Sequence, residues 1–382
     1  MSDADEFERL ILALQGTVAP SIPTHEGSSG RFDRWLHVLA ERGGSDLLLV
    51  AGVPPSIRID GRIQRLEDGP LDGLDIEEAV LSSLQPHAQQ QYRDTHIADA
   101  SFRLQGVGRF RINLHRERGR AAAAVRLLPV RVPRLSTLGL PAAFEPLATL
   151  PRGLVIIGGA TGSGKTTTLA ALVEEINRRD ARHVVTIEDP IEYEHAHYGS
   201  IIEQVEIGVD APDFPTALRA ALRQAPDVIV IGEMRDPETM HIALAAAETG
   251  HLVLTTLHTT DVASTISRIA DSFAIERQNT IRQELAMALA AVGTQMLLPR
   301  TGAGLVPAAE LLMVGYGARQ HIRKNALQHL HQEITITRKY GSLTLEESLA
   351  GLVRDRLVEW REAHGRAVHV EEFEHLCPRP PA

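Results

Sequence analysis

Cysteine is nearly absent: Cys377 is the only one in 382 residues. That excludes disulfides within the chain and zinc sites built on CxxC pairs. Aromatic residues are scarce, at 4%, while apolar residues reach 43%, the composition of an ordinary soluble protein. No apolar run is long enough to cross a bilayer. A basic signal-peptide start is also lacking, since the chain opens on the acidic MSDADEFE. These absences lead us to expect a cytoplasmic protein. A surplus of positive charge is missing too: 39 Lys and Arg against 49 Asp and Glu give a net charge of -10. That balance argues against a dedicated nucleic-acid binder and leaves open only a local basic groove. No internal repeat is present.

What is there suits two domains. Residues 5–15 have the pattern of a short amphipathic helix, and PSIPTHEGSSG after them reads as a linker, so residues 1–30 are expected to form a flexible extension. From Arg31 to about Pro129 the pattern is α+β. It has a helix around RWLHVLAERGG and strands in SDLLLVAG, PPSIRIDG and GRIQRL. A helix over Ile76–Tyr92 follows, then strands in ASFRL, GRFRINLHRE and AAAAVRLLP. The proline-rich PVRVPRLSTLGLP marks a junction, which divides the chain into residues 31–135 and 136–382. Beyond Arg152 the short apolar runs GLVIIGG, HVVTIED, DVIVIGE and HLVLTTLH alternate with helical stretches, as strands of a parallel sheet buried on both faces do. After about Asp261 the chain reads as mostly helical.

The strongest motif is GATGSGKT, Gly159 to Thr166, between an apolar strand and an Ala/Leu-rich helix. It fits the P-loop pattern in its required context. Its glycines let successive N–H groups turn toward phosphate oxygens at a helix N-terminus. Gly159, Thr161, Gly162, Ser163, Gly164, Lys165, Thr166 and Thr167 are the expected ATP-binding set. Lys165 is expected on the β- and γ-phosphates and the Thr166 hydroxyl on Mg2+. In an open α/β sheet ligands sit at the carboxyl ends of strands. That rule brings three further strand ends to the P-loop. Glu233, in DVIVIGEMRD, can orient or deprotonate the attacking water, whereas Asp227 opens the same strand at the far end and reads as structural. Glu188, in TIEDPIEYEH, can hold Mg2+ through water. His258, in HLVLTTLHTTD, can sense the γ-phosphate.

Arg109, Arg111, Arg116, Arg118, Arg120 and Arg126 are spread over GRFRINLHRERGRAAAAVRLL, a pattern for a hairpin on which several share a face. Such a face is either a solvated basic sheet, a contact to phosphate backbones, or the source of an arginine finger reaching across a domain or subunit boundary.

Taken in order, SDLLLVAGVPPSIRIDG, GATGSGKTT, TIEDPIEYEH, ALRAALRQAPDVIVIGEMRDPETM and AAETGHLVLTTLHT resemble the PilT family of type IV pilus retraction ATPases, within the wider type II/IV secretion ATPases. The resemblance runs from about Arg31 into the C-terminal region. It implies an α/β fold, with a RecA-like P-loop ATPase domain preceded by a small α+β PAS-like domain, and a homo-hexameric ring. The ring would hydrolyse ATP with Mg2+ and drive pilus retraction from the cytoplasmic face of the inner membrane, reaching the membrane through a pilus platform protein and not through nucleic acid. By the same resemblance Glu233 is the catalytic glutamate, Glu188 belongs to the acidic box, His258 to the histidine box, and Arg111 and Arg126 are the phosphate-reaching pair. Pilus-assembly and type II secretion ATPases are the alternative, but they typically carry a four-cysteine zinc element and an extra N-terminal domain, for which this chain has one cysteine and a short extension. The family segment resembling AIRNLIRE is altered here: Arg319, Ile322 and Arg323 match, while Gly317, Ala318, Gln320, His321 and Lys324 depart. That departure keeps open a divergent paralogue acting as a nucleotide-dependent regulatory scaffold.

Overall fold

The computed structural model describes residues 30–379; the helix and linker expected before Gly30 lie outside the described residues. Contacts divide the chain into two units. One holds the described residues up to Ser83 together with Leu114–Val125, the other Leu84–Asn113 together with the residues from Arg126 onward.

In the first unit, α1 (Arg31–Glu41) buries Phe32, Trp35, Leu36 and Leu39, the i, i+3, i+4, i+7 stripe of an amphipathic helix. Strands β1 (Asp46–Leu49), β2 (Ser56–Ile59) and β3 (Arg62–Arg65) form an antiparallel meander. The helix expected over Ile76–Tyr92 is two helices, α2 (Gly73–Leu81) and α3 (Pro86–Thr95). Pro86 has no N–H to donate and its ring would clash with the preceding turn, so it opens a helix and does not continue one. Strands β4 (Ile97–Leu104), β5 (Gly108–Glu117) and β6 (Arg120–Leu127) complete a six-stranded sheet ordered β3-β2-β1-β6-β5-β4, of which α3, β4 and β5 up to Asn113 count with the second unit.

The second unit is built on a seven-stranded sheet. Its strands are β7 (Gly153–Gly158), β8 (His183–Glu188), β9 (Ile201–Glu206), β10 (Val228–Ile231), β11 (Leu252–Leu257), β12 (Leu289–Pro299) and β13 (Leu305–Met313), in the order β13-β12-β7-β11-β10-β8-β9. Every neighbouring pair is parallel except β12 with β13. Strands β7, β10 and β11 are buried along their whole length, which explains their unbroken apolar runs. Successive side chains point to opposite faces. Leu154, Ile156, Ile229 and Val253 therefore join one core, with Leu244, Ile269 and Leu285. Val155, Ile157, Val228 and Leu254 join another, with Phe144, Leu172 and Ile176. The helices supplying these partners include α4 (Lys165–Arg179), α5 (Phe214–Ala221), α6 (Pro237–Glu248), α7 (Val262–Asp271) and α8 (Ile275–Ala288). The register aligns the strand ends: Gly158 pairs with Leu257, and Ile231 with both Thr255 and Ile187.

The expectation of a mostly helical chain after Asp261 holds except at one hairpin, β12–β13. LAAVGTQMLLP is strand β12, paired parallel with β7 and antiparallel with β13. Its alanines favour helix locally, but the side of β7 that needs a partner decides the conformation, and Gly293 fits against Phe144 where a Cβ would stand 3.0 Å from the ring.

Beyond the hairpin lie α9 (Tyr316–Arg323), α10 (Leu330–Ile336), α11 (Leu345–Arg354), α12 (Trp360–His364) and α13 (Val370–Leu376). The altered family segment is α9. Its Ala318 and Ile322 are fully buried, and Arg319 donates to the Ala286 and Met287 carbonyls at the end of α8. Two of its departures belong together. His321 Nε2 meets Glu333 Oε1 at 3.4 Å, and a Cβ on residue 317 would stand 2.4 Å from the same carboxylate. Gly317→Ala is therefore expected to displace Glu333 and destabilise the protein by about 1 kcal/mol, whereas in a Glu333→Ala background the same change should stabilise by about 0.5 kcal/mol through helix propensity. Urea unfolding of the four variants reads this coupling, and equal effects in both backgrounds would refute it.

Candidate active site

Strand β7 runs into the loop Gly159–Gly164, and α4 begins at Lys165. Gly164 adopts φ 89° and ψ 17°, a left-handed conformation that glycine enters without strain. At Gly159 a Cβ would lie 2.3 Å from Ser163 Oγ and 2.6 Å from the Gln295 carbonyl oxygen, so only glycine lets the loop close this far. Ser163 Oγ is buried and has no hydrogen-bond partner among the described residues. An orphaned hydroxyl in a glycine cradle at a helix N-terminus fits a phosphate group. Thr161 and Gly162 are exposed on the loop, and Thr167 Oγ1 pairs with the Tyr193 hydroxyl at 3.0 Å.

Gln295, from β12, braces this loop from below. Its Nε2 donates to the Ser163 carbonyl at 2.7 Å and its Oε1 accepts from Thr168 Oγ1 at 2.8 Å. Gln295→Ala strands both groups, so we expect a loss of about 2 kcal/mol in stability and about tenfold weaker nucleotide binding. Denaturant titration and ADP calorimetry check the two effects, and unchanged ADP affinity would show that the brace does not shape the loop.

Lys165 is buried, and its Nζ donates to the Gly159 and Ala160 carbonyls at 2.8 and 2.9 Å. Burial pushes its ammonium below the ordinary lysine range, while the Glu233 and Glu192 carboxylates pull it back up. Glu233 follows β10 through Gly232; its Oε2 lies 3.3 Å from His258 Nε2, just past β11. Its other oxygen pairs with Arg235, which also reaches Asp189 at 3.5 Å. Glu192 lies beside the Thr166 hydroxyl. Burial raises its pKa, and the Arg111 and Arg126 guanidiniums, that hydroxyl and Lys165 pull it down. Lys165, Thr166, Glu233, His258, Arg111 and Arg126 are thus linked to one another through Glu233 and Glu192.

Glu188 stands apart. Its Oε1 accepts from Thr186 Oγ1 at 2.7 Å and from Gln204 Nε2 at 3.2 Å, and burial raises its pKa. The remaining arginines disperse: Arg109 pairs with Glu206, Arg116 with Glu77 at 3.6 Å and Arg118 with Glu117 at 2.9 Å. Arg109 reaches a carboxylate whose Oε2 also accepts the Ile191 N–H at 3.0 Å, so it steadies the loop that carries Glu192. Asp227 accepts the His183 N–H at 2.8 Å at the opposite end of the strands, in keeping with a structural part. Three residues of this site escaped the sequence reading: Glu192, Arg235 and Gln295. Glu192 and Arg235 lie inside quoted motifs, where their spacing from Glu188 and Glu233 was the available signal. Gln295 gave only a polar residue inside an apolar run.

The family of type II/IV secretion system proteins matches residues 110–364. The chain belongs to this family. It is similar to the type IV pilus retraction ATPase PilT of Pseudomonas aeruginosa, at 39% identity over 87% of this chain and 97% of that protein. It is similar as well to the type IV pilus ATPase PilU of the same organism, at 36% identity over 88% of each. A crystal structure of the pilus retraction motor PilT with bound ADP superposes with a TM-score of 0.81, at 41% identity over 89% of this chain and 98% of that one. Like other members of the family, this chain has the α/β P-loop ATPase fold with a preceding N-terminal domain, and it is a nucleotide-binding ATPase. Among the described residues no helix is long and apolar enough to cross a membrane.

Proposed function

We propose that the protein is a homo-hexameric, Mg2+-dependent motor that powers type IV pilus retraction. The observation that carries this reading is the likeness to PilT across 97% of that protein's length, with the expected groups gathered around one P-loop. In this reading Glu233, oriented by His258 and Arg235, takes the proton of the attacking water. Lys165 leaves the Gly159 and Ala160 carbonyls for the phosphate oxygens, and Arg111 and Arg126 add positive charge where the transferring phosphoryl group needs it. His258 links Glu233 to the end of β11, so a change at the γ-phosphate is felt beyond the site. Thr166 and Glu192 offer an oxygen-only donor set that suits a hard cation, and they would hold Mg2+, which when bound neutralises charge on the β- and γ-phosphates. Glu188, half-buried at the end of β8, keeps the place in the acidic box that the resemblance gives it. We take residues 31–135 as the PAS-like domain and 136–382 as the ATPase domain, whose opening and closing follow from different affinities for ATP and ADP. The ring would work at the cytoplasmic face of the inner membrane against a membrane-embedded pilus platform protein.

A gene deletion in the piliated host tests the assignment. Loss of a retraction motor leaves pili on the surface and abolishes twitching, while loss of an assembly motor leaves no pili. The linked departures at Gly317 and His321 favour a second reading as a divergent paralogue that acts as a nucleotide-dependent regulatory scaffold. Restoration of twitching by Glu233→Gln would support that reading and sink the motor.

A further inference from the structure

A cavity of about 220 Å³ lies between the β12–β13 hairpin and the C-terminal helices; Gln295, Glu310, His331, Glu346 and His369 are among its walls. Two of these carboxylates are unusual. Glu346 is 1% exposed, and its Oε1 accepts the Val368 and His369 N–H groups at 3.1 and 2.8 Å. Glu310 accepts the Val262 N–H through Oε2 at 3.1 Å. Each has a second oxygen with no hydrogen bond, and neither makes an ion pair with Lys or Arg among the described residues. A buried carboxylate is costly unless it is hydrogen-bonded, protonated or paired with a cation.

We propose that His331, Glu346 and Glu372 form a binding site for a divalent transition-metal ion, of the Zn2+ or Mn2+ class. One donor atom from each lies within 4.8 Å of the others. Metal–ligand bonds of about 2.1 Å set donor atoms about 3–4 Å apart, so modest side-chain rotations close the set. The donors come from three elements, α10, α11 and α13. His331 Nε2 already meets Glu372 Oε2 at 2.7 Å, and one imidazole with two carboxylates suits borderline ions better than Mg2+. The supports that orient ligands are in place as well. Two backbone N–H groups hold Glu346, and the Thr344 hydroxyl at 3.2 Å and Arg338 at 3.5 Å hold Glu372 through Oε1. The cation would pin the three helices to one another.

The test uses the full-length protein, stripped with EDTA and dialysed without nucleotide. Zn2+ and Mn2+ are titrated by calorimetry, bound metal is counted by mass spectrometry, and Tm is followed with metal. We expect one ion per chain, a Tm that rises with metal concentration, and at least tenfold weaker binding in both Glu346→Gln and His331→Gln. Glu346→Gln keeps the Oε1 acceptor, and a Tm near wild type in EDTA shows that it folds. Co2+ substitution adds a d–d absorption band that both variants should lose. Absence of stoichiometric binding, or binding unchanged in the two variants, overturns the site.

Discussion

Glu233→Gln is expected to lower steady-state ATP turnover by 10²–10⁴-fold, the usual worth of a positioned general base, while leaving ATP binding within a few-fold of wild type. The geometry argues for that separation. Glu233 is a side chain of the strand edge and not of the glycine loop, so the amide retains the shape of the cradle formed by Gly159, Ser163 and Gln295. What is lost is the proton acceptor and the charge that His258 and Arg235 hold in place. The amide also removes one of the two carboxylates that raise the Lys165 pKa, leaving Glu192 as the other. Lys165 should therefore lose its proton at lower pH in the variant, which narrows the alkaline side of the nucleotide-binding profile. Turnover by rapid-mix phosphate release and binding by a fluorescent nucleotide separate the two effects. A variant that turns over at more than a tenth of the wild-type rate would remove Glu233 from the role of base.

Sequence and structure agree where burial imposes a pattern. GLVIIG, DVIVIG and LVLTTL are legible as parallel strands because both faces of β7, β10 and β11 are covered. Once they are recognised, the carboxyl-end rule brings Glu233 and His258 to the P-loop without further information. The pattern fails at β12, which follows α8 without a turn residue between Ala288 and Leu289 and has helix-favouring alanines. Its identity as a strand comes from its pairing with β7, a contact between residues more than a hundred positions apart. The brace at Gln295 was hidden for the same reason. In the acidic box the sequence points to Glu188 at the strand end, and its carboxylate turns to Thr186 and Gln204. The carboxylate that meets Thr166 is Glu192, two residues past Pro190 in the loop, where strand periodicity no longer tells which way a side chain points.

The same carboxylate makes the second large effect predictable. Arg111 and Arg126 lie on adjacent strands, β5 and β6, and both lower the pKa of Glu192 against its burial. If they also neutralise the transferring phosphoryl group, replacing either by Ala should cost about 10³-fold in kcat, with ADP affinity changed by less than tenfold. The double variant should fall well short of the product of the single losses, because the two charges act on one centre. A pH profile adds a sign that a merely structural arginine would not give. Removing either guanidinium lets burial push Glu192 higher, so the acid limb of the kcat profile should move to higher pH. A loss of activity that appears only in KM, with the acid limb unmoved, would make these arginines ground-state binders and leave the stabilising charge to Lys165.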